Sequence, residues 1–256
     1  MKAIILSAGR GSRLLPLTQH RPKCLLPIGH LTMLERQIKV LHDCGVNNVC
    51  VVTGFGAEAV ERTLAPWQSP NLSIRTIFNP FFQVSDNLAS CWMAIDEMDS
   101  DFLLVNGDTL FEPRIPRRVL SSTLAPITIT IDRKSSYDDD DMKVQLNGTR
   151  LLAVGKKLSR EETDGESIGL LYFRGEGPQL FAQAIAEAMQ DPEAVHAWYL
   201  MVVDKMARDG FVQAASIEGL TWGEVDTQED LANVQRLFVS ERDQASLTSS
   251  PPYAAE

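Results

Sequence analysis

The sequence predicts an α/β fold, a mostly parallel mixed sheet flanked by helices. Two observations carry this. Over roughly the first hundred residues, short apolar runs alternate with segments of helical period, the pattern of parallel strands joined by crossover helices. In the second half, strand-like runs crowd together with turn signals between them, the pattern of an inserted, smaller β-rich region.

The elements follow in order. Residues 3–6 read as a buried strand, and a loop rich in Gly, Arg and Pro runs on to Gly29. Met33, Leu34, Gln37, Ile38 and Leu41 recur at helical spacing until Gly45 stops them. Residues 49–53 form a strand, Gly54-Phe55-Gly56 a turn, 57–64 a helix and 72–78 a strand. A helix is expected over 87–98, then a strand over 101–105 that stops at Asn106-Gly107-Asp108. Strands are expected at 125–131, 142–146, 151–154 and 167–173, with Asn147-Gly148 as a hairpin turn. Helices over 180–189 and 198–208 and strands over 212–217 and 222–225 complete the domain. A last helix over 227–238 is capped by Thr227 with Asp230 three residues on. Residues 1–240 read as one domain and 241–256 as a disordered tail.

The chain has 256 residues, with 24 Lys and Arg against 34 Asp and Glu, for a formal net charge of −10. No excess of cations is left to neutralise phosphates, which argues against a binder of nucleic acid or of an anionic membrane. No apolar run approaches the roughly 20 residues that span a bilayer. The apolar start is broken by Gly9, Arg10, Gly11 and Arg13, unlike a signal peptide. Cys24, Cys44, Cys50 and Cys91 lack CxxC spacing and lie in apolar contexts, so buried reduced thiols are expected. A cytoplasmic location is the expectation.

The most informative segment follows the first strand: Leu6-Ser7-Ala8-Gly9-Arg10-Gly11-Ser12-Arg13-Leu14-Leu15-Pro16-Leu17-Thr18, then Arg21-Pro22-Lys23-Cys24-Leu25-Leu26-Pro27. Gly9 and Gly11 let backbone N–H groups approach an anion with no Cβ in the way. Arg10, Arg13, Arg21 and Lys23 concentrate cations on one loop of an acidic chain, as a polyphosphate site would require. A tight turn solvated by arginines would use the same residues. Leu14 stands where a dinucleotide fingerprint needs its third glycine, and the Gly-Lys-Ser/Thr of a Walker A loop is absent.

The segment closely resembles the signature of the sugar nucleotidyltransferase family, L-x-A-G-x-G-x-R-L-x-P-L-T-x-x-x-P-K-x-L-x-P, and meets every fixed position from Leu6 to Pro27. The resemblance implies a Rossmann-like fold with a nucleotide-binding half over 1–120 and an acceptor-binding half over 121–240. It implies that Leu6, Ala8, Gly9, Arg10 and Gly11 bind a nucleoside triphosphate. Arg13 and Lys23 would contact its phosphates and stabilise the reaction.

Two carboxylates stand apart. Asp108 follows a buried strand, where a side chain faces the ligand crevice and suits Mg²⁺, although an Asn-Gly-Asp turn also favours Asp. Asp226 precedes a helix, a place the helix dipole favours for any acid. Asn106-Gly107-Asp108 resembles the family's metal aspartate motif, and Trp222-Gly223-Glu224-Val225-Asp226-Thr227-Gln228-Glu229-Asp230-Leu231 resembles W-x-E/D-I/V-D-T-x-E-D-L. That resemblance implies Mg²⁺ held by Asp108 and Asp226, with Glu224 in a structural role.

Asn79-Pro80-Phe81-Phe82-Gln83-Val84-Ser85-Asp86-Asn87-Leu88-Ala89-Ser90-Cys91-Trp92-Met93-Ala94 is similar to a stretch of the bacterial choline-phosphate cytidylyltransferase branch, with Asp86 replacing an Asn. On that likeness Gln83, Asn87 and Ser90 lie near the nucleotide or acceptor. A capped helix start with Trp92 in the core would also fit. Met142-Lys143-Val144, Gly155-Lys156 and Asp164-Gly165-Glu166-Ser167-Ile168-Gly169 resemble the same branch, which gives Lys156 the acceptor's phosphate and sets Glu166 toward the acceptor. The acidic run 138–141 is either a solvated loop or a rim that attracts a cationic head group, with Trp198, Tyr199, Trp222 and Tyr137 as candidate aromatic walls. Leu200-Met201-Val202 departs from the acidic continuation of that branch, which leaves the head group open.

The expected activity is Mg²⁺-dependent transfer of CMP from CTP to a phosphocholine-like phospho-alcohol or phosphonate, with release of pyrophosphate. The expected partners are CTP and a small phosphorylated acceptor, without nucleic acid or membrane, and a homodimer is compatible with the sequence. The alternatives are a sugar-1-phosphate nucleotidylyltransferase and a non-catalytic nucleotide-sensing subunit.

Overall fold

A computed structural model describes residues 1–122 and 125–239. The first half alternates as the apolar runs require. It contains β1 (Lys2–Ser7), the short pair β2 (Pro27–Ile28) and β3 (Leu31–Thr32), α1 (Met33–Asp43), β4 (Asn48–Thr53), α2 (Ala57–Leu64) and β5 (Ser73–Phe78). Then come α3 (Asn87–Met93), β6 (Phe102–Asn106), β7 (Thr109–Phe111) and α4 (Arg114–Leu120). The second half adds β8 (Ile127–Asp132), β9 (Lys143–Asn147), β10 (Arg150–Gly155), β11 (Gly165–Phe173), α5 (Gly177–Ala188), α6 (Tyr199–Arg208), β12 (Val212–Ser216), β13 (Trp222–Glu224) and α7 (Gln228–Phe238). The expected tail over 241–256 lies outside the described residues.

One sheet of nine strands runs through both halves in the order β5-β4-β1-β6-β11-β8-β12-β10-β9. β5, β4, β1 and β6 are parallel, β11 is antiparallel to β6 and β8, and β12 is parallel to β8. The chain leaves β1 for β4 on one side and later returns to β6 on the other. The strand order therefore reverses at β1, and a crevice opens beyond the carboxyl ends there. Because β11 runs the opposite way, its first residues lie at that same end, where Glu166 pairs in register with Asp132 of β8.

The apolar face of each helix covers the sheet. One core layer gathers Phe102, Phe173 and Phe181, all fully buried, with ring centroids 4.7 and 4.4 Å apart. The other packs Ile38 and Leu41 of α1 against Ile5 and Val51. The thiols of Cys24, Cys50 and Cys91 are buried, and Cys44 is half-buried, its Sγ donating to Pro113 O. Burial pushes the Cys24 and Cys50 thiols up to about 12, which keeps them from acting as nucleophiles. Among the described residues, no helix is long and apolar enough to cross a membrane.

Three local features differ from the sequence expectation. α3 ends at Met93, and a 3-10 turn over Ile95–Glu97 takes the place of its predicted last turn. Trp92 is 42% exposed and lies outside the core. β2, β3, β7 and α4 are too short to show a period, and α4 carries Pro116 within it.

Phe173→Ala should cost about 3–5 kcal/mol, since it empties a site stacked on two rings. Urea unfolding with an unchanged slope and a lowered midpoint checks this.

Candidate active site

The crevice beyond β1 and β6 is a cleft of about 930 Å³. Its wall takes in every predicted site residue except Arg10 and Gln83. Arg10 turns away and lays its guanidinium 5.3 Å from the centre of the Phe55 ring, and Gln83 is exposed beside the cleft.

The loop after β1 is shaped around Lys23. Gly11 has φ +71°, and a Cβ there would come within 2.9 Å of Lys23 Cβ, so this glycine makes room for the lysine stem. The Thr18 hydroxyl donates to Gly11 O at 2.7 Å and closes the turn. Nothing lies within 4 Å of a Cβ added at Gly9, which leaves that stretch of backbone open to the cleft.

Lys23 reaches the carboxylates. Its ammonium donates to Asp108 Oδ2 at 3.0 Å and to Asp226 Oδ1 at 2.6 Å. Burial alone would lower the Lys23 pKa, but the two carboxylates overrule it and hold it above its ordinary value. Arg13 lies 2.9 Å from the other oxygen of Asp226 and 3.5 Å from Asp140. Asp108, Glu224 and Asp226 each offer an oxygen within 4.8 Å of the others and could hold a metal ion. Asp108 Oδ1 is buried without a hydrogen-bond partner, an acceptor left over in the middle of this set. An all-carboxylate donor set fits a hard divalent cation such as Mg²⁺. Glu224 keeps contact with solvent, yet the protein around it and the nearby Asp108 and Asp226 carboxylates push its carboxyl up to about 8.

The backbone holds these groups by hydrogen bonds that the sequence did not announce. Gln37, buried on α1, donates to Asn106 O at 2.8 Å and Thr109 O at 2.7 Å, so it pins both ends of the turn that carries Asp108. Gly107 admits no side chain, because a Cβ would stand 2.5 Å from Leu6 O. Val225 N–H donates to Asp108 O at 3.1 Å, which ties β13 and therefore Asp226 to the same turn. The capping box Thr227–Asp230 forms as the sequence predicts, and Asp230 also accepts from Asp226 N–H. Glu224 is two residues from Asp226 on a strand edge, and that spacing is the signal that could have placed both on one face.

The other end of the cleft is set by β8, β11 and the loop after β8. Lys134 bridges Asp141 and Glu166, 2.8 Å from each. Lys156 pairs with Asp140 at 3.0 Å and lies 4.6 Å above the Trp198 ring. The acidic run 138–141 is therefore tied to lysines and Arg13 through Asp140 and Asp141. The Trp222 indole N–H donates to Asp132 at 2.7 Å. Asn87 accepts from Tyr199 N–H at 2.9 Å and Ser90 from the Asn79 amide at 3.1 Å, so both contribute to the cleft wall while holding its backbone. Tyr199 is fully buried, its hydroxyl on Asn106 at 3.1 Å, and Tyr137 lines an adjoining pocket. Lys134 and Asp132 carried no pattern in the sequence.

Residues 2–134 match a family model described as nucleotidyl transferase. A bifunctional IPC transferase and DIPP synthase of Aquifex aeolicus is 26% identical over 93% of this chain, which spans about half (51%) of that relative's length. A choline-phosphate cytidylyltransferase of Streptococcus pneumoniae is 23% identical, with 94% of this chain and 100% of that protein covered. Among solved structures, the inositol-1-phosphate CTP transferase from T. maritima superposes with a TM-score of 0.77 at 20% identity, over 92% of this chain and 94% of the other, a likeness of fold.

Burial pushes the Glu166 carboxyl up to about 7; Lys134 opposes this and the Asp141 carboxylate adds to it. The folded chain then holds this proton more tightly than the unfolded chain, so the contribution of Glu166 to stability falls as pH rises from about 4.5 to about 7. Glu166→Gln should remove that slope. Its unfolding free energy relative to the parent should improve across the window by roughly 3 kcal/mol, at about 1.4 kcal/mol per pH unit. Chemical denaturation at several pH values reads it, and parallel curves would refute it.

Proposed function

The chain belongs to the nucleotidyl transferase family, and from that premise we propose that it transfers CMP from CTP to the phosphate or phosphonate of a small alcohol-type acceptor and releases pyrophosphate. The class includes the phosphocholine-like acceptor expected from the sequence and extends to polyol phosphates. One observation carries the reading. Lys23 and Arg13, from the loop after β1, converge with Asp108 and Asp226 at the switch point of the sheet. A non-catalytic nucleotide sensor has no use for both carboxylates. The relatives with cytidylyltransferase names support the choice of CTP.

In this reading residues 1–120 serve the nucleotide and 121–240 the acceptor, in a cytoplasmic enzyme. The loop over Ala8, Gly9 and Gly11, open at Gly9, receives the triphosphate. Asp108 and Asp226, joined by Glu224, would hold Mg²⁺, which supplies charge to neutralise the α-phosphate. An oxygen of the acceptor's phosphate attacks the α-phosphorus in line, the bond to the bridging oxygen breaks, and pyrophosphate leaves. The acceptor is already an anion, so no side chain acts as a nucleophile or a base. Lys23 keeps its full charge in the cleft and stabilises the charge that develops on the α-phosphate and on the leaving group. Arg13, more exposed, steadies the pyrophosphate. Lys156 meets the acceptor's phosphate.

Pyrophosphate release should be strong with CTP and a phospho-alcohol or phosphonate and weak with ATP, GTP and UTP. Release with sugar 1-phosphates alone would return the chain to the wider family. Lys23→Ala should lower turnover by about 10²–10³, and near-normal turnover would remove Lys23 from the mechanism. Asp226→Asn should raise the Mg²⁺ concentration for half-maximal turnover, and an unchanged Mg²⁺ titration would contradict its role.

A further inference from the structure

Proteins hold a fixed positive charge with unpaired carboxylates and with the faces of aromatic rings. At the acceptor end lysines of the chain already engage the carboxylates of Asp140, Asp141 and Glu166 and the rings of Trp198 and Tyr137, and neutral N–H donors engage Asp132 and Asp138. Asp141 and Glu166, with side chains 13% and 6% exposed, share the Lys134 ammonium. Asp140 is paired with Lys156 and Arg13. Lys156 also covers the Trp198 ring, and Lys134 lies 5.7 Å from the Tyr137 ring. Asp132 accepts from the Trp222 indole, and Asp138 Oδ1 accepts the backbone N–H groups of Asp140 and Asp141.

A quaternary ammonium brought here meets two resident ammonium groups, and to sit on Glu166 and Asp141 it must first evict Lys134. Hydroxyl groups meet no such barrier. An ammonium has three N–H donors, of which Lys134 spends two on these carboxylates, and each carboxylate keeps lone pairs for further donors. A hydroxyl can accept the spare N–H and donate to a spare lone pair at once.

We propose that Lys134 is a specificity-determining residue of the acceptor site, turning it toward phosphorylated acceptors that carry hydroxyls and away from those with a cationic head. The proposal rests on the transferase reading above and narrows its acceptor class. It makes a like-charge contact the means of rejection, which discriminates against one ligand without tighter binding of the other.

The test measures kcat/KM with CTP and Mg²⁺ for phosphocholine against inositol 1-phosphate and glycerol 3-phosphate. The parent should favour one of the hydroxylated acceptors by about tenfold or more. Lys134→Met should move that ratio toward phosphocholine by about tenfold, and Lys134→Arg, which keeps the charge, should retain the parent's preference. Phosphocholine used as well as the polyol phosphates by the parent, or a ratio unmoved in Lys134→Met, overturns the proposal and leaves the transferase reading standing. Should Lys134→Met fail to fold, Lys134→Gln, which also removes the charge, is read for the same shift, and an unmoved ratio there overturns the proposal equally. No pyrophosphate from any acceptor, in a parent whose circular dichroism shows it folded, defeats the transferase reading itself and this proposal with it.

Discussion

The cleft depends on one ammonium. Asp108, Glu224 and Asp226 come from two strands far apart in the chain and are drawn within 4.8 Å of one another. Carboxylates at that spacing repel one another, and Glu224, pushed up to about 8, answers by keeping its proton while Asp108 and Asp226 hold their charge. Lys23 meets this repulsion with two hydrogen bonds, and Arg13 adds a third contact from the solvent side. Gly11 is glycine because the lysine stem passes through the space its Cβ would fill. Gln37 is a buried amide on a helix because the Asp108 turn must be held at both ends for this geometry to persist. The loop, the turn and the helix that follows Asp226 are thus set by a single balance of charge.

Much of this was legible in the sequence, for identifiable reasons. The strands of the parallel half are continuous apolar runs, buried on both faces, and nothing else in a chain of this composition reads that way. The loop over 6–27 is legible because its glycines and prolines shape the turn and its cations concentrate charge on it. Asp108 and Asp226 follow from their places at strand ends. Arg10 and Gln83 stand at positions that the two motifs leave open, and the structure sets both outside the wall of the cleft. Arg10 finds an aromatic face on the next βα turn instead. Lys134 was invisible because its meaning comes from contact with residues 7 and 32 positions away in sequence, brought together by the antiparallel run of β11.

That antiparallel strand also explains how both halves of the chain line one cleft. Four parallel strands deliver carboxyl ends, and with them the loop and the turn that carry Lys23 and Asp108. β11 delivers its amino end to the same edge, and with it Glu166 beside Asp132. Loops that reach the cleft from β8 and β10 then bring Lys134, Asp140, Asp141 and Lys156. Tyr199 joins the two regions, since its backbone is held by Asn87 and its hydroxyl holds Asn106 next to the Asp108 turn.

The two ends of the cleft repeat one arrangement, a lysine between two carboxylates, with opposite consequences. At the inner end Lys23 has a side chain only 12% exposed, and Asp108, Glu224 and Asp226 gather three oxygen donors beside it that could hold a divalent cation. In the proposed function the lysine and that cation would both face an anionic triphosphate, to which each is attracted. At the outer end Lys134 is more exposed, at 38%, and Lys156 is its neighbour in the same wall. There Lys134 is shared by Asp141 and Glu166, Asp140 takes Lys156 and Arg13, and Asp132 and Asp138 are met by N–H donors. What remains at the outer end is a field of hydrogen-bond donors and acceptors in which the ammonium positions are already filled by the chain's own lysines, and such a surface distinguishes ligands by their hydroxyl groups.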